Sequence, residues 1–403
     1  MVAASVAHII TKLELGGAQQ NTLFTVSHLD ATRFRPILIT GEPGVLDQEA
    51  RALEGVSFHQ IPSLVRPIRP LRDGLALLLL TTLLRRLKPE IVHTHSSKAG
   101  VLGRLAAWAA GVPIIIHTIH GFGFTRYQHA LHRWILIASE RLVSRLTTRF
   151  FCVSEASRRT GIELGLFSPE RSTVIRSGVD LAAFRREPAD REAKRRELGC
   201  EPGQLLVGMV APLKPQKAPV DFVRVAKVVH RKFPGARFVL VGDGELRPAV
   251  EAEVQRLGLQ AVFRLAGWQR NIAEVLHCLD VFVLTSLWEG LPRVYLEALS
   301  ASVPVVGTRV DGAAEVIEDG VNGFLAEPGD IQTLADRVMR LLAEEEERRT
   351  MSERGRALPG QFDITEMVRQ QEQEYDRLLM ACDQRRLLSE PSACGTDTDK
   401  IGE

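Results

Sequence analysis

The feature that most limits how this chain can fold is a rhythm. Short runs of β-branched and aromatic residues are each followed by a turn and a longer stretch with helical spacing. In the first half the short runs are VAHIIT, RPILIT, EIVHTH, PIIIHTIH and RFFCVS; in the second they are LLVGMVA, ARFVLVG, AVFRLAG, VFVLT, PVVGT and GFLAE. Strands alternating with helices build a parallel sheet covered on both faces, because parallel neighbours need a long crossover and a helix supplies it. The rhythm stops in RSGVDLAAFRREPADREAKRRELGCEPG (176–203), a charged stretch with glycine and proline, and restarts at LLVGMVA (205–211). Two doubly wound α/β domains facing a central cleft are therefore expected, over residues 1–186 and 204–362, with a linker at 187–203. DITEMVRQQEQEYDRLLM (363–380) has apolar residues at helical spacing. The segment 363–381 is expected to be one helix that packs back on the N-terminal domain, and 382–403 to be a disordered tail.

Composition excludes several classes. A chain of 403 residues with 45% hydrophobic content can bury sizeable cores. Five cysteines (Cys152, Cys200, Cys278, Cys382, Cys394) are scattered with no Cys-x-x-Cys spacing. Neither a disulfide framework nor a zinc site is indicated, and a reducing compartment fits. The opening MVAASVAHIITKLELGG lacks a basic leader and an apolar signal core, and LALLLLTTLL (75–84) is about half as long as a membrane span. The expectation is a cytoplasmic protein, free or held peripherally on the inner face of a membrane. The formal net charge of +2 hides an asymmetry: residues 1–186 hold 23 basic and 13 acidic side chains, residues 187–403 hold 28 and 36. Much of the excess lies in RPIRPLRDGLALLLLTTLLRRLK (66–88) and RYQHALHRWILIASERLVSRLTTR (126–149). Such basic amphipathic stripes suit an anionic lipid surface or simply a solvated helix face. They are expected to lack interleaved exposed aromatics, and they carry no recognisable motif that would argue for nucleic acid.

Several polar residues fall where strands end. TSLWEGLPRVYLEALSASVPVV (285–306) puts Glu289 and Gly290 after one strand and Glu297 about two turns along the next helix, at about 1.5 Å per residue. In an open parallel sheet ligands bind outside the carboxyl ends of strands, so the two carboxylates can address different parts of one elongated ligand. ELGGAQQN (14–21) follows the first strand, and its Gly16–Gly17 pair lets backbone approach a ligand before a helix begins. HTIHGFGF (117–124) ends an apolar strand with His120, and VAPLKPQKAP (210–219) offers Lys214 and Lys217, suited to a diphosphate at a helix start. From the residues alone the bland readings stay open: a solvated Glu297, a capping Glu289, a structural His120 and a lysine-bearing surface loop.

Together these segments resemble the GT-B glycosyltransferases of family 4, over about residues 1–380. The most specific part, SLWEGLPRVYLEALSASVPVVGTRVDGAAEVIEDGVNGFLAEPGD (286–330), is similar to that family's E-x7-E donor signature. GGAQ, HTHSSKAG (93–100), VSEASR (153–158), SGVDLAAF (177–184), QKAP (216–219) and LVGDGE (240–245) are similar too, in the family's order. The resemblance implies a retaining transfer of a sugar from a nucleoside-diphosphate sugar to an acceptor hydroxyl, in polysaccharide or glycolipid assembly, with a sugar or lipid-linked acceptor. It implies that Glu289 contacts the hydroxyls of the transferred sugar, Glu297 the ribose, and Lys217 the diphosphate, with His120 near the sugar's reacting face. Gly16, Gly17, Lys214, Gly290, Leu291 and Arg293 complete the expected donor site. The family's diphosphate-binding arginine is replaced by Pro212, a deficit that Lys214 or Arg293 could fill, and the Pro-Asn of its linker motif is Arg176–Ser177. No essential metal or other cofactor is implied, and the lone Asp-x-Asp, Asp397 to Asp399, lies in the expected tail. A nucleotide-sugar epimerase of similar fold and a silent sugar-nucleotide binding protein are the alternatives.

Overall fold

The computed structural model describes residues 3–125, 127–357 and 360–389. Two all-parallel sheets form. The first has strands β1 (Ala4–Ile10), β2 (Phe34–Thr40), β3 (Ser57–Gln60), β4 (Ile91–His95), β5 (Ile114–Ile119), β6 (Arg149–Cys152) and β7 (Ser172–Val174). Its spatial order is β3-β2-β1-β4-β5-β6-β7. The second has β8 (Leu206–Val210), β9 (Arg237–Val241), β10 (Phe263–Gly267), β11 (Val281–Leu284), β12 (Val305–Thr308) and β13 (Gly323–Ala326), ordered β10-β9-β8-β11-β12-β13. Every strand read from the rhythm is present. The first sheet adds two short edge strands, β3 and β7, which carry polar residues and are half open to solvent. An edge strand packs little apolar surface, so it leaves no apolar run to read.

The central strands are buried on both faces, as helix-covered parallel strands are. One face of the first sheet packs Ile9, Ile39 and Val92 against Leu80 and Leu84 of the Pro70–Leu87 helix. Its other face takes Ile364, Met367, Val368 and Tyr375 from the chain's last helix against Val6, Phe34, Ile91 and Ile114. That helix leaves the second domain and returns to the first, as expected.

Two expectations change. The last helix runs Ile364–Ser389, so residues 382–389, expected to be loose, are helical. The segment holds good helix formers and meets no proline before Pro391, and Cys382 still packs on the first domain. The rest of the expected tail, with Cys394 and Asp397 to Asp399, lies outside the described residues. The expected linker is also not a free connection. It contains the helix Arg191–Glu197, and Leu198 and Cys200 are buried in the second domain's core. Arg195 ties it down by donating to Cys278 O (2.5 Å), Gln204 O (2.6 Å) and Asp280 Oδ2 (3.1 Å).

In each sheet the strand order reverses beside the first strand, between β1 and β4 and between β8 and β11. The loops after these strands splay apart there and leave a crevice. The two crevices face each other.

Candidate active site

One cleft of about 1010 Å³ opens between the domains. Gly16, Gly17 and His120 line it from the first domain, and Lys214, Lys217, Glu289, Gly290, Leu291, Arg293 and Glu297 from the second. Residues from five separate loops or helix starts are thus brought to one space.

The Glu289 loop is held from several sides. Thr285 Oγ1 donates to Lys217 O (3.0 Å) and Ala218 O (2.9 Å), fastening the β11 loop to the β8 loop. Glu289 N–H donates to Asp311 Oδ2 (2.6 Å), and Ser286 Oγ donates to Glu289 Oε1 (2.6 Å). Lys217 Nζ makes a direct ion pair with the same carboxylate oxygen, and Gln216 Nε2 approaches the other at 3.4 Å. The lysine and the carboxylate therefore neutralise each other. Lys217 also lies just before the Pro219–Lys232 helix, whose N-terminal dipole adds positive potential at this end of the cleft.

Arg293 opens the helix Arg293–Ser300 and spans the cleft. Its Nη1 donates to Gly17 O (3.2 Å) and Gln20 Oε1 (2.8 Å) of the first domain, and its Nη2 lies 3.8 Å from Glu297 Oε1, one turn on. Burial lowers the Arg293 pKa. Burial likewise pushes the Glu297 carboxyl up, opposed by the charges of Arg293 and Lys217. Gly17 approaches this arginine closely, since a Cβ there would stand 3.0 Å from Arg293 Cδ. Lys214, whose pKa burial and the charge of Arg66 depress, has Glu14 of the first domain in its field. Pro212, in place of an arginine, also lines the cleft.

The domains touch where His120 meets Gly290. A Cβ on Gly290 would lie 2.1 Å from His120 O, so only glycine allows this approach. Within the second domain Gly312 N–H donates to Gly290 O (3.1 Å), and across the domains Arg176 Nη2 reaches Glu315 Oε2 (3.0 Å). Several neighbours escaped sequence reasoning. Gln216 and Asp311 stand inside segments singled out above, but nothing local marks their side chains as partners of the Glu289 loop. Trp268, Gln269 and Arg270, after β10, line the far end of the cleft and carry no local signal. His95 stands in HTHSSKAG, yet its contact with His120 depends on the sheet.

Two Rossmann-like domains with a ligand-sized cleft between their strand ends define the GT-B class of glycosyltransferase. A solved structure of HepE from Anabaena, in complex with UDP and glucose, superimposes with a TM-score of 0.80 at 20% identity, covering 93% of this chain and 100% of that one. Residues 15–183 match the family model described as Glycosyltransferase Family 4, and residues 190–358 the model described as Glycosyl transferases group 1. UDP-Gal:alpha-D-GlcNAc-diphosphoundecaprenol alpha-1,3-galactosyltransferase of Escherichia coli is 34% identical over 83% of this chain and 87% of its own length. N-acetyl-alpha-D-glucosaminyl L-malate synthase of Bacillus anthracis is 34% identical over 71% of this chain and 74% of its own. The chain belongs to glycosyltransferase family 4.

Proposed function

We propose that the protein moves a hexosyl group from a nucleoside-diphosphate sugar, best supported as a uridine diphosphate donor, to a hydroxyl of a sugar or lipid-linked acceptor with retention of configuration. The observation that carries this is the meeting of Lys217, Glu289, Arg293 and Glu297 with His120 in one cleft. The Escherichia coli relative's name specifies a UDP-Gal donor and a diphosphoundecaprenol-linked acceptor, and HepE was solved with UDP, which supports the donor class and the kind of acceptor. Polysaccharide or glycolipid assembly is the corresponding place of action.

In this reading the donor parts the ion pair. Lys217 turns from Glu289 to the diphosphate, and the freed carboxylate accepts hydrogen bonds from the transferred sugar. Glu297 takes the ribose hydroxyls, and backbone at Gly290, Leu291 and the Gly16–Gly17 turn lies along the diphosphate. The bond from C1 to the leaving phosphate oxygen breaks while the acceptor oxygen bonds to C1 on the same face. The acceptor's proton passes to the departing phosphate oxygen. Lys217, Arg293 and the start of the Pro219–Lys232 helix stabilise the charge that develops there, a role for preorganised cations and dipoles that needs no metal ion. His120 orients the reacting face from the opposite domain.

In the same reading the acceptor side faces a membrane surface. No helix among the described residues is long and apolar enough to cross a membrane. The Pro70–Leu87 helix, the neighbouring Ser97–Ala109 helix and the Ala130–Ser144 helix expose Leu71 (93%), Leu78 (63%), Trp108 (63%), Leu131 (61%) and Trp134 (65%). Arg69, Arg72, Arg85, Arg86, Arg133 and Arg141 are exposed on the same elements or their ends. Apolar side chains flanked by arginines suit an anionic leaflet, where a lipid-linked acceptor would be presented. Arg126, at the start of the second basic stripe, lies outside the described residues.

The test is nucleoside-diphosphate release from a panel of donors, with and without acceptor, and the anomeric configuration of the product by NMR. Acceptor-dependent release, unaffected by a chelator and giving the donor's anomer, is expected. An inverted product would refute retention, acceptor-independent formation of an epimer would favour the epimerase, and binding without turnover would favour a silent binder.

A further inference from the structure

His120 is one end of a row of imidazoles that runs back through the first sheet. His8 on β1 and His95 on β4 are fully enclosed, and His120 follows β5 at the cleft. His8 Nδ1 and His95 Nε2 are 3.0 Å apart, and His95 Nδ1 and His120 Nε2 are also 3.0 Å apart. In both pairs the ring centroids are 5.3 Å apart, so the bonded nitrogens lie almost on the line between ring centres. The rings of His8 and His95 are coplanar within 8°.

That arrangement suits hydrogen bonds and not a metal. Ligand lone pairs converge on an ion, whereas those of His8 Nδ1 and His95 Nε2 point at each other. His93, which completes a group of three close histidines, has both nitrogens engaged, one by Tyr375 Oη (2.5 Å) and one by Thr118 Oγ1 (2.6 Å).

Burial holds all three imidazoles of the row neutral at ordinary pH, lowering His8 to about 3, His120 to about 4 and His95 well below its usual value. Each neutral ring carries one N–H. Two of the three fill the row's two internal bonds, which leaves one N–H at one end, on His8 Nε2 or on His120 Nδ1. His8 Nε2 is buried with no partner, so an N–H there would be an orphan donor that bears its desolvation cost with no bond in return. His120 lines the cleft, where water or a substrate hydroxyl can accept. We propose that His95, backed by His8, is a positioning residue that locks His120 in the Nδ1–H tautomer and aims that N–H into the cleft as a donor to substrate. This rests on the reading of His120 as a substrate-facing group and specifies its chemistry: a neutral hydrogen-bond donor, and not a base.

The test uses the full-length protein labelled with ¹⁵N-histidine. Long-range ¹H–¹⁵N spectra, with the His120 signals assigned from His120→Ala, should show Nδ1 protonated and Nε2 bare. In steady-state assays His95→Leu should lower kcat by about tenfold to a hundredfold, the scale of one misaligned donor, with donor KM little changed. His95→Asn, whose amide can still donate to His120 Nε2, should recover most of that loss. An Nε2-protonated His120 in the wild type would overturn the proposal. So would wild-type kcat in His95→Leu when His120→Ala has lost turnover, or a stoichiometric transition metal that His8→Asn releases. Wild-type turnover in His120→Ala would instead refute the role of His120 itself. Should His95→Leu fail to fold by circular dichroism, the wild-type tautomer and the kcat of His95→Asn decide.

Discussion

Lys217 and Glu289, 72 residues apart in sequence, hold an ammonium and a carboxylate in direct contact in the cleft between the domains. In the proposed reading, each occupies the other's ligand-binding atoms until substrate separates them. Glu289→Ala should lower kcat by about 10²-fold, because in that reading its partner is the sugar whose geometry changes on the way to the transition state. Lys217→Ala should lower kcat and raise donor KM. The double variant should be less impaired than the product of the two, as for groups that act together. Glu297→Ala should mainly raise donor KM. Wild-type rates in both glutamate variants at saturating donor would remove the assignment.

Gly290→Ala tests the domain contact. The new methyl would stand 2.1 Å from His120 O, a backbone atom that cannot swing aside. The halves must separate, and a displacement of about 1 Å at a reacting centre can lower turnover about 10²-fold. Kinetics together with circular dichroism would check this, since the expected variant is folded and slow. Unchanged kcat would show that the closed contact is not used in catalysis.

Pro212→Arg should tighten nucleoside-diphosphate binding by about tenfold, by adding a charge-assisted, bidentate partner where only the proline ring now borders the cleft. Isothermal titration would measure it. Weaker binding would mean that Lys214 or Arg293 already fills that space.

The buried histidines predict acid sensitivity. His8, His93, His95, His117 and His120 all have folded-state pKa values depressed below 6.5, chiefly by burial. Below pH 6.5 the unfolded chain takes up protons that the folded chain refuses. The stability is therefore fully present above about pH 6.5 and lost as pH falls, through the folded values of about 4 for His120 and about 3 for His8. Each such histidine contributes up to about 1.4 kcal/mol per pH unit in that window. Urea unfolding at pH 7.5 and 5.5 should show a marked drop, smaller in His8→Asn. A flat profile would contradict the buried neutral row.

Vesicle co-sedimentation checks the exposed arginine-flanked face. Binding to acidic vesicles, absent with neutral ones, should weaken with salt as charges are screened over about 10 Å at 0.1 M. Leu78→Ser with Trp134→Ser should reduce it while leaving turnover on a soluble acceptor intact. Protein that stays in the supernatant with acidic vesicles at low salt would end the membrane assignment.

Near-neighbour pattern in the sequence determined the two sheets, their strands from β1 to β13 apart from β3 and β7, the loops that carry Glu289, Lys217 and His120, and the helix that carries Glu297. Such pattern is legible because it records which residues face a core over a few positions, and glycine and proline punctuate it. Edge strands, the bound Arg191–Glu197 helix and the extension of the last helix to Ser389 escaped, because their placement depends on what packs beside them. The chemistry of the cleft belongs to the tertiary structure. Only the meeting of loops from facing domains lets Arg293 reach Gly17 and Gln20, and only adjacent parallel strands align His8, His95 and His120. Residues 25 to 276 positions apart leave no periodic trace of such contacts, since register between strands and the approach of two domains are set by the packing of whole sheets and helices.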